Sequence, residues 1–381
     1  MIQSLRRGGL PLVFATAAAA WAPTADAAEK LHLGIEGYMT QYFGYADNDD
    51  TGTADTSGFD VKSDTELGFA GDFTLDNGLQ VGVEVVLNGN SDDGEQIKDS
   101  YSWAEAKFGR LELGKRDNAA AQMHYAAPDV GLGINDGDID DWIDNPTGGD
   151  SDSAFKSTYL FLGEDKGTKL TYYSPRLMDL QLGVSYIPEF ERDSNAQPAG
   201  DLYKDGFAIG VNYVRDFGEG TSLALAAGFL TAFAPDNSTA DRAKGYSFGF
   251  EIAHAGFTVG GSYANTDGNA GSGTDTATSL DGEGFDIGVS YAFDPITVSL
   301  SYYKGEFEDQ VAVAGESEND TDHAVGELRD RPGRGPAPQS VPQRVQGRNR
   351  LQERRHGGSG RDDHRVLTGR VLTGRILSNE F

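Results

Sequence analysis

Residues 63–87 read SDTELGFAGDFTLDNGLQVGVEVVL, and the alternation within them decides the fold class. Together with Val61, the residues Leu67, Phe69 and Phe73 occupy odd positions, while Lys62, Asp64, Glu66 and Asp72 occupy even ones. Successive residues of a β-strand point to opposite faces, so one face here is apolar and the other charged. Asp76-Asn77-Gly78 is a tight-turn signal. Beyond it, Leu79, Val81, Val83, Val85 and Leu87 alternate with Gln80, Gly82 and Glu84. The stretch therefore reads as two antiparallel strands, each apolar on one side only.

The same period runs outward from this hairpin. In residues 31–45 the odd positions carry Leu31, Leu33, Ile35, Met39 and Phe43, and the even ones His32, Glu36, Thr40 and Tyr42. Further strands are expected at 101–108, 110–115, 169–174, 180–187, 207–214, 223–233, 246–253, 257–265, 285–293 and 296–304, which makes 13. Short turns alternate with long loops rich in Asp, Asn, Gly and Ser. Tyr and Phe gather near strand ends, as at Tyr42, Phe43, Tyr172, Tyr173, Tyr302 and Tyr303. These features predict an all-β fold, a transmembrane antiparallel β-barrel with a lipid-facing apolar band, a polar lumen and aromatic girdles. The alternative is a secreted β-sandwich serving as a carbohydrate-binding or surface protein. Sandwich strands run to about 5–6 residues, whereas a strand crossing a bilayer at a tilt needs roughly 9–11. Many strands here approach the longer value, and their charged faces would not suit a dry core.

Composition agrees. Of 381 residues 38% are hydrophobic, Gly is abundant at 51, and the formal charge is −29. Cys is absent, which excludes a disulfide framework and thiol metal sites. Arg6 and Arg7 precede an apolar stretch, and Ala25-Asp26-Ala27 supplies an A-x-A cleavage site. Residues 1–27 thus read as a secretory signal peptide rather than an interfacial helix, with the mature chain starting at Ala28. No later segment reaches the ~18 consecutive apolar residues of a membrane helix. Neither GxSxG, HExxH, a P-loop nor CxxC occurs, and the six His are scattered, so no enzyme is expected.

Three stretches, taken in order and spacing, resemble a known family: residues 63–87, 108–121 (FGRLELGKRDNAAA) and 170–186 (LTYYSPRLMDLQLGVSY). They are similar to the Gram-negative general porins, particularly those of α-proteobacteria and purple bacteria, over residues 31–326. The resemblance implies a sixteen-strand barrel in the outer membrane of a Gram-negative bacterium, commonly a homotrimer. Its third external loop folds inward to narrow a water-filled pore for passive diffusion of small hydrophilic solutes and ions. A substrate-selective porin is the variant. No cofactor and no nucleic-acid partner are implied.

The inward loop can be placed. It follows Gly114-Lys115-Arg116, runs over residues 117–157, and carries Asp117, Asp129, Asp136, Asp138, Asp140, Asp141, Asp144, Asp150 and Asp152. Gly131-Leu132-Gly133-Ile134 and Trp142-Ile143 are expected to anchor it to the wall. In the family, loop acids face wall bases across the constriction. Asp129, Asp136, Asp138, Asp140, Asp141 and Asp144 are assigned to the loop side. Lys62 and Arg110, whose parity points inward, are assigned to the wall. Acidic rings favour cations, so a mild cation preference follows, although each Asp alone would equally serve to solvate a loop. Residues 135–141 (NDGDIDD) also suggest Ca²⁺, since alternate oxygen ligands suit a hard cation, but the closing Glu of an EF-hand is missing.

The last 55 residues break the pattern. Residues 327–381 hold 12 of the 20 Arg, no Lys and no Tyr, and carry net +6, against 17 bases and 53 acids in residues 28–326. A disordered basic tail and a nucleic-acid or anionic-lipid patch are two readings. The favoured third is an out-of-frame remnant of the last barrel strands. Reading one base downstream, permitted codons continue residues 322–326 into alternating strands ending in Phe. As printed, the tail shows no apolar alternation, and thirteen strands followed by a basic coil would leave two open edges in the bilayer.

Overall fold

Period two in the sequence becomes an antiparallel meander in space. The computed structural model describes residues 32–46, 58–90, 96–129, 157–161, 167–190, 203–234, 242–268, 282–293, 296–308, 316–328, 354–355 and 364–376, with side chains up to residue 305. The strands are β1 (His32–Ala46), β2 (Gly58–Thr74), β3 (Gln80–Asn88), β4 (Ile97–Ala106), β5 (Gly109–Lys115), β6 (Thr168–Tyr173) and β7 (Leu180–Glu189). They continue as β8 (Lys204–Gly218), β9 (Thr221–Phe233), β10 (Ala243–His254), β11 (Phe257–Asp267), β12 (Gly282–Phe293) and β13 (Ile296–Glu308). Among the described residues one short helix, α1 (Ala119–Gln122), follows β5. Among the described residues no helix is long and apolar enough to cross a membrane.

All thirteen expected strands are present, and each pairs antiparallel with its sequence neighbours from β1 through β13. Several are longer than alternation alone indicated. β8 runs from Lys204 to Gly218 because polar residues at its ends still pair through the backbone with β9. The register sorts the two faces. Val83, Leu113 and Leu300 are 55%, 55% and 57% exposed on the outer face, and Leu33, Phe69, Phe248 and Val259 join them in an apolar band. A surface of this extent suits lipid rather than water. The inner face buries Thr40, Glu66, Glu112, Lys169, Ser185, Ser247 and Asp286. The short connections are tight. In the β2–β3 turn the Gly78 N–H donates to Leu75 O at 2.7 Å and the Leu79 N–H to Asn77 Oδ1 at 3.0 Å. Gly78 sits there at φ 79°, where a side chain would be strained.

Beyond β13 the structure departs from expectation. The sequence reading ended the strands at residue 304 and gave none to residues 327–381. Instead β14 (Glu316–Leu328) pairs antiparallel with β13, and β16 (His364–Ile376) pairs antiparallel with β1. The short β15 (Arg354–Arg355) joins β14. Strand pairing is a backbone event that needs no apolar alternation. Val366, Thr368, Val371, Thr373 and Ile376 favour an extended chain, and an unpaired β1 edge is costly in lipid. The sheet counts sixteen strands, but its antiparallel run is not closed, because β14 and β16 pair parallel over 321–326 and 364–369. The cause is parity. β14 and β16 each oppose a strand of the same direction, so they run the same way. A ring of antiparallel neighbours needs an even number, and β1–β14 with β16 is odd.

An outward position should tolerate no charge. Val83→Arg is expected to cost about 2–4 kcal/mol of folding stability in lipid vesicles if it lies near the bilayer midplane. Denaturant titration of refolding against the unaltered chain measures this, and an equal stability would contradict the facing assigned to β3.

Candidate functional site

The chain leaves β5 at Lys115 and turns into the space enclosed by the sheet. Asn118 is fully buried at this bend. Its Oδ1 accepts from the backbone of Ala120 at 2.8 Å and Ala121 at 3.1 Å, capping α1. Its Nδ2 donates to Leu160 O at 2.8 Å, tying the outgoing limb of the loop to the returning one. The Ala119 N–H donates to Ser185 Oγ on β7 at 2.9 Å. Past α1 the limb crosses the inner face toward β13, where Ser301 Oγ donates to Pro128 O at 3.0 Å.

A second clasp is built on Asp286 of β12, which is 3% exposed. Its Oδ1 accepts from the Ala127 N–H at 2.7 Å, and its Oδ2 accepts from Thr158 Oγ1 at 3.1 Å. The Ser262 hydroxyl on β11 completes the cluster, 2.6 Å from Thr158 Oγ1 and in contact with the same carboxylate. Ala127 belongs to the outgoing limb and Thr158 to the returning one, so one wall carboxylate holds both. Several donors on a buried carboxylate compensate its desolvation. His124 Nε2 lies 3.3 Å from Thr158 Oγ1, and its ring meets Tyr159 edge-on at 4.8 Å. Burial pushes the His124 imidazole down to about 3, so it is neutral in the seated loop.

The inner face of β2–β5, with Arg116 just past the end of β5, carries several bases. Arg110 Nε donates to Glu112 Oε1 at 2.7 Å and its NH1 to Glu105 at 3.2 Å, with the guanidinium 4.3 Å over the Trp103 ring. Arg116 NH1 reaches the same Glu112 oxygen at 2.7 Å and stacks 4.3 Å over Tyr101. Lys62 pairs with Asp60, and Lys98 with Glu66. Each of these four cations is thus matched by a carboxylate at the wall itself.

The expected site residues fare unevenly. Lys62 and Arg110 stand on the inner face, as parity required. Asp129 lies against β13, with Ser299 Oγ 3.5 Å away. Asp136, Asp138, Asp140, Asp141 and Asp144 lie outside the described residues, as do the calcium-like stretch 135–141 and the expected apolar anchors at 131–134 and 142–143. Among the described residues the anchoring falls to others: Ala120 and Leu160 pack in one apolar cluster with Ile187, Phe190 and Leu230, while Met123 packs with Tyr173. Asn118, Thr158, Ser185, Ser262 and Asp286 were not singled out in the sequence. An available signal was Asp286, an acid at an inward position between the outward Phe285 and Ile287.

The neutral His124 gives the seat a pH dependence. Above pH 6.5, the ordinary imidazole value, His124 is uncharged whether the loop is seated or free. Below it only the free loop takes up the proton, until the seated value of about 3 is reached, so seating weakens as pH falls through that window. Limited proteolysis of the folded protein should therefore cut the loop faster at pH 4 than at pH 7, with His124→Gln flattening the dependence. An unchanged rate across that range would contradict the buried neutral imidazole.

A family model described as Gram-negative porin matches residues 15–326. Among curated proteins, none matches the chain in sequence. Among solved structures, a refined porin is 13% identical, covering 78% of this chain and 96% of its own at a TM-score of 0.47. Salmonella typhi OmpF, in complex with daunomycin, is 15% identical, with coverages of 76% and 84% and a TM-score of 0.49. An anion-selective porin from Comamonas acidovorans is 16% identical, with coverages of 76% and 82% and a TM-score of 0.48. The family match takes in every strand from β1 to β13 and both described limbs of the inward loop, and on that match the chain belongs to the Gram-negative porins, the β-barrel channels of the outer membrane.

Proposed function

We propose that this outer-membrane channel passes small hydrophilic solutes and ions by passive diffusion with a mild preference for cations. The observation that carries the preference is the wall. Lys62 and Arg110 would set a positive wall against an acidic loop, yet both are ion-paired, Arg110 with two carboxylates. With the wall bases offset locally, the excess of acids over bases in residues 28–326 governs the potential a passing ion meets. Asp129 and the loop acids at 136, 138, 140, 141 and 144 supply part of that excess. Family membership supports a channel, and the lack of an enzymatic role and a homotrimeric assembly are proposed on the resemblance to general porins.

Residues 327–381 are proposed to be an out-of-frame remnant of the last strands. The abrupt Arg-rich composition and the parallel β14–β16 seam both support this. Sequencing the gene across codons 320–381 in independent isolates tests it: a missing or extra base near Gly326 is expected, and a confirmed reading as printed would remove the idea.

Selectivity is read from the zero-current potential across a bilayer under a KCl gradient. A potassium preference that shrinks as salt rises is expected. Arg110→Gln should raise the cation-to-anion ratio by about 1.5–3-fold, because Glu105 and Glu112 lose their counter-charge. Asp129→Asn should lower it. An anion preference in the unaltered channel would overturn the proposal.

A further inference from the structure

We propose that a belt of inward glycines, one on each strand from β7 to β12, is the seat that fixes how far the loop stands off the wall and so sets the bore of the channel. The proposal rests on the reading of this chain as a channel narrowed by its inward loop. The belt is Gly183, Gly210, Gly228, Gly249, Gly260 and Gly288. Gly183 pairs directly with Gly210, Gly210 with Gly228, and Gly260 with Gly288, so the cross-strand register itself lines them up.

The loop follows this line. A Cβ added at Gly210 would lie 2.5 Å from Ala119 O, at Gly249 1.7 Å from Tyr125 O, and at Gly260 2.6 Å from Ala126 O. One at Gly183 would lie 2.6 Å from Met123 Sδ. At Gly228 and Gly288 it would stand 3.2 Å and 3.1 Å from the Cβ atoms of Ala120 and Ala127. Three of these contacts are to backbone carbonyls, which cannot swing away as a side-chain tip can. None of the six glycines has a positive φ, so backbone conformation does not require them. Glycine within a strand weakens it and marks close approach of another chain segment. The facing residues are small in turn, with Ala119, Ala120, Ala126 and Ala127 pressed to the wall. The Asn118 and Asp286 clasps then hold the limb where the belt lets it settle. By contrast Gly34, on β1, has nothing within 4 Å of an added Cβ.

The chain has no Cys, so engineered pairs report the seat without background. Ala120→Cys with Gly228→Cys, and Ala127→Cys with Gly288→Cys, bring Cβ atoms near the ~3.8 Å of a disulfide. Both pairs should cross-link in the full-length refolded protein under copper–phenanthroline, seen as a mobility change on a non-reducing gel. Gly210→Ala and Gly249→Ala should lower single-channel conductance by roughly 1.5-fold or more as the loop is lifted into the lumen. Gly34→Ala should leave it unchanged. Absence of both cross-links would overturn the seat, and cross-links with unaltered conductance in folded Gly210→Ala and Gly249→Ala would overturn the control of bore. Failure of the channel reading looks different: the unaltered protein itself would not conduct.

Discussion

Hydrocarbon offers no partner to a backbone N–H or C=O, so every residue that crosses the bilayer must find its partner on a neighbouring strand. The continuous antiparallel run from β1 to β13 is the response to that constraint, and the two faces follow from it. Once the backbone is paired, side chains have only an outward and an inward direction. Leu33, Val83, Leu113 and Leu300 take the first, and Glu66, Glu112, Ser185 and Asp286 the second. The same constraint explains the seam. β1 and β13 each accept a partner from β16 and β14 even though those strands show no apolar alternation, and the parallel meeting of β14 with β16 is the geometric cost of an odd count.

The enclosed space is not uniformly wet. Across β7–β13 the inner wall combines inward Gly, Ala and Ser with Ile187, Leu230 and Asp286, and the loop lies directly on it, fastened at Asn118 and Asp286. Across β2–β5 the wall is charged, with Arg110 and Arg116 sharing Glu112. This division gives the two halves different tasks. One half fixes a piece of backbone by shape and a few buried hydrogen bonds, which are worth most where water is excluded. The other presents a polar surface on which Lys62, Lys98, Arg110 and Arg116 are each ion-paired. On the proposed reading, selectivity depends less on single wall bases than on how completely each is matched by its neighbours.

Much of this was legible in the sequence, for a physical reason. Period two is a local property, so the thirteen strands, their facing and the inward parity of Lys62 and Arg110 could be read residue by residue. The clasps could not. Ala127 and Asp286 meet across 159 positions of chain, and no local pattern announces such a contact. The expected anchors at 131–134 and 142–143 lie outside the described residues, and the described limbs are held by Ala119, Ala120, Met123 and Leu160, which no local pattern marks as anchors. β14 and β16 were missed because hydrophobic alternation reports burial of side chains, while their pairing depends on the backbone.

The central claim is that these strands cross a bilayer around a water-filled lumen. Single cysteines placed along β3, whose inner face the described loop does not cover, test it most directly. In reconstituted vesicles, a membrane-impermeant thiol reagent should label Glu84→Cys readily and leave Val83→Cys and Val85→Cys unlabelled until detergent is added. Equal labelling at all three positions before detergent would contradict the account.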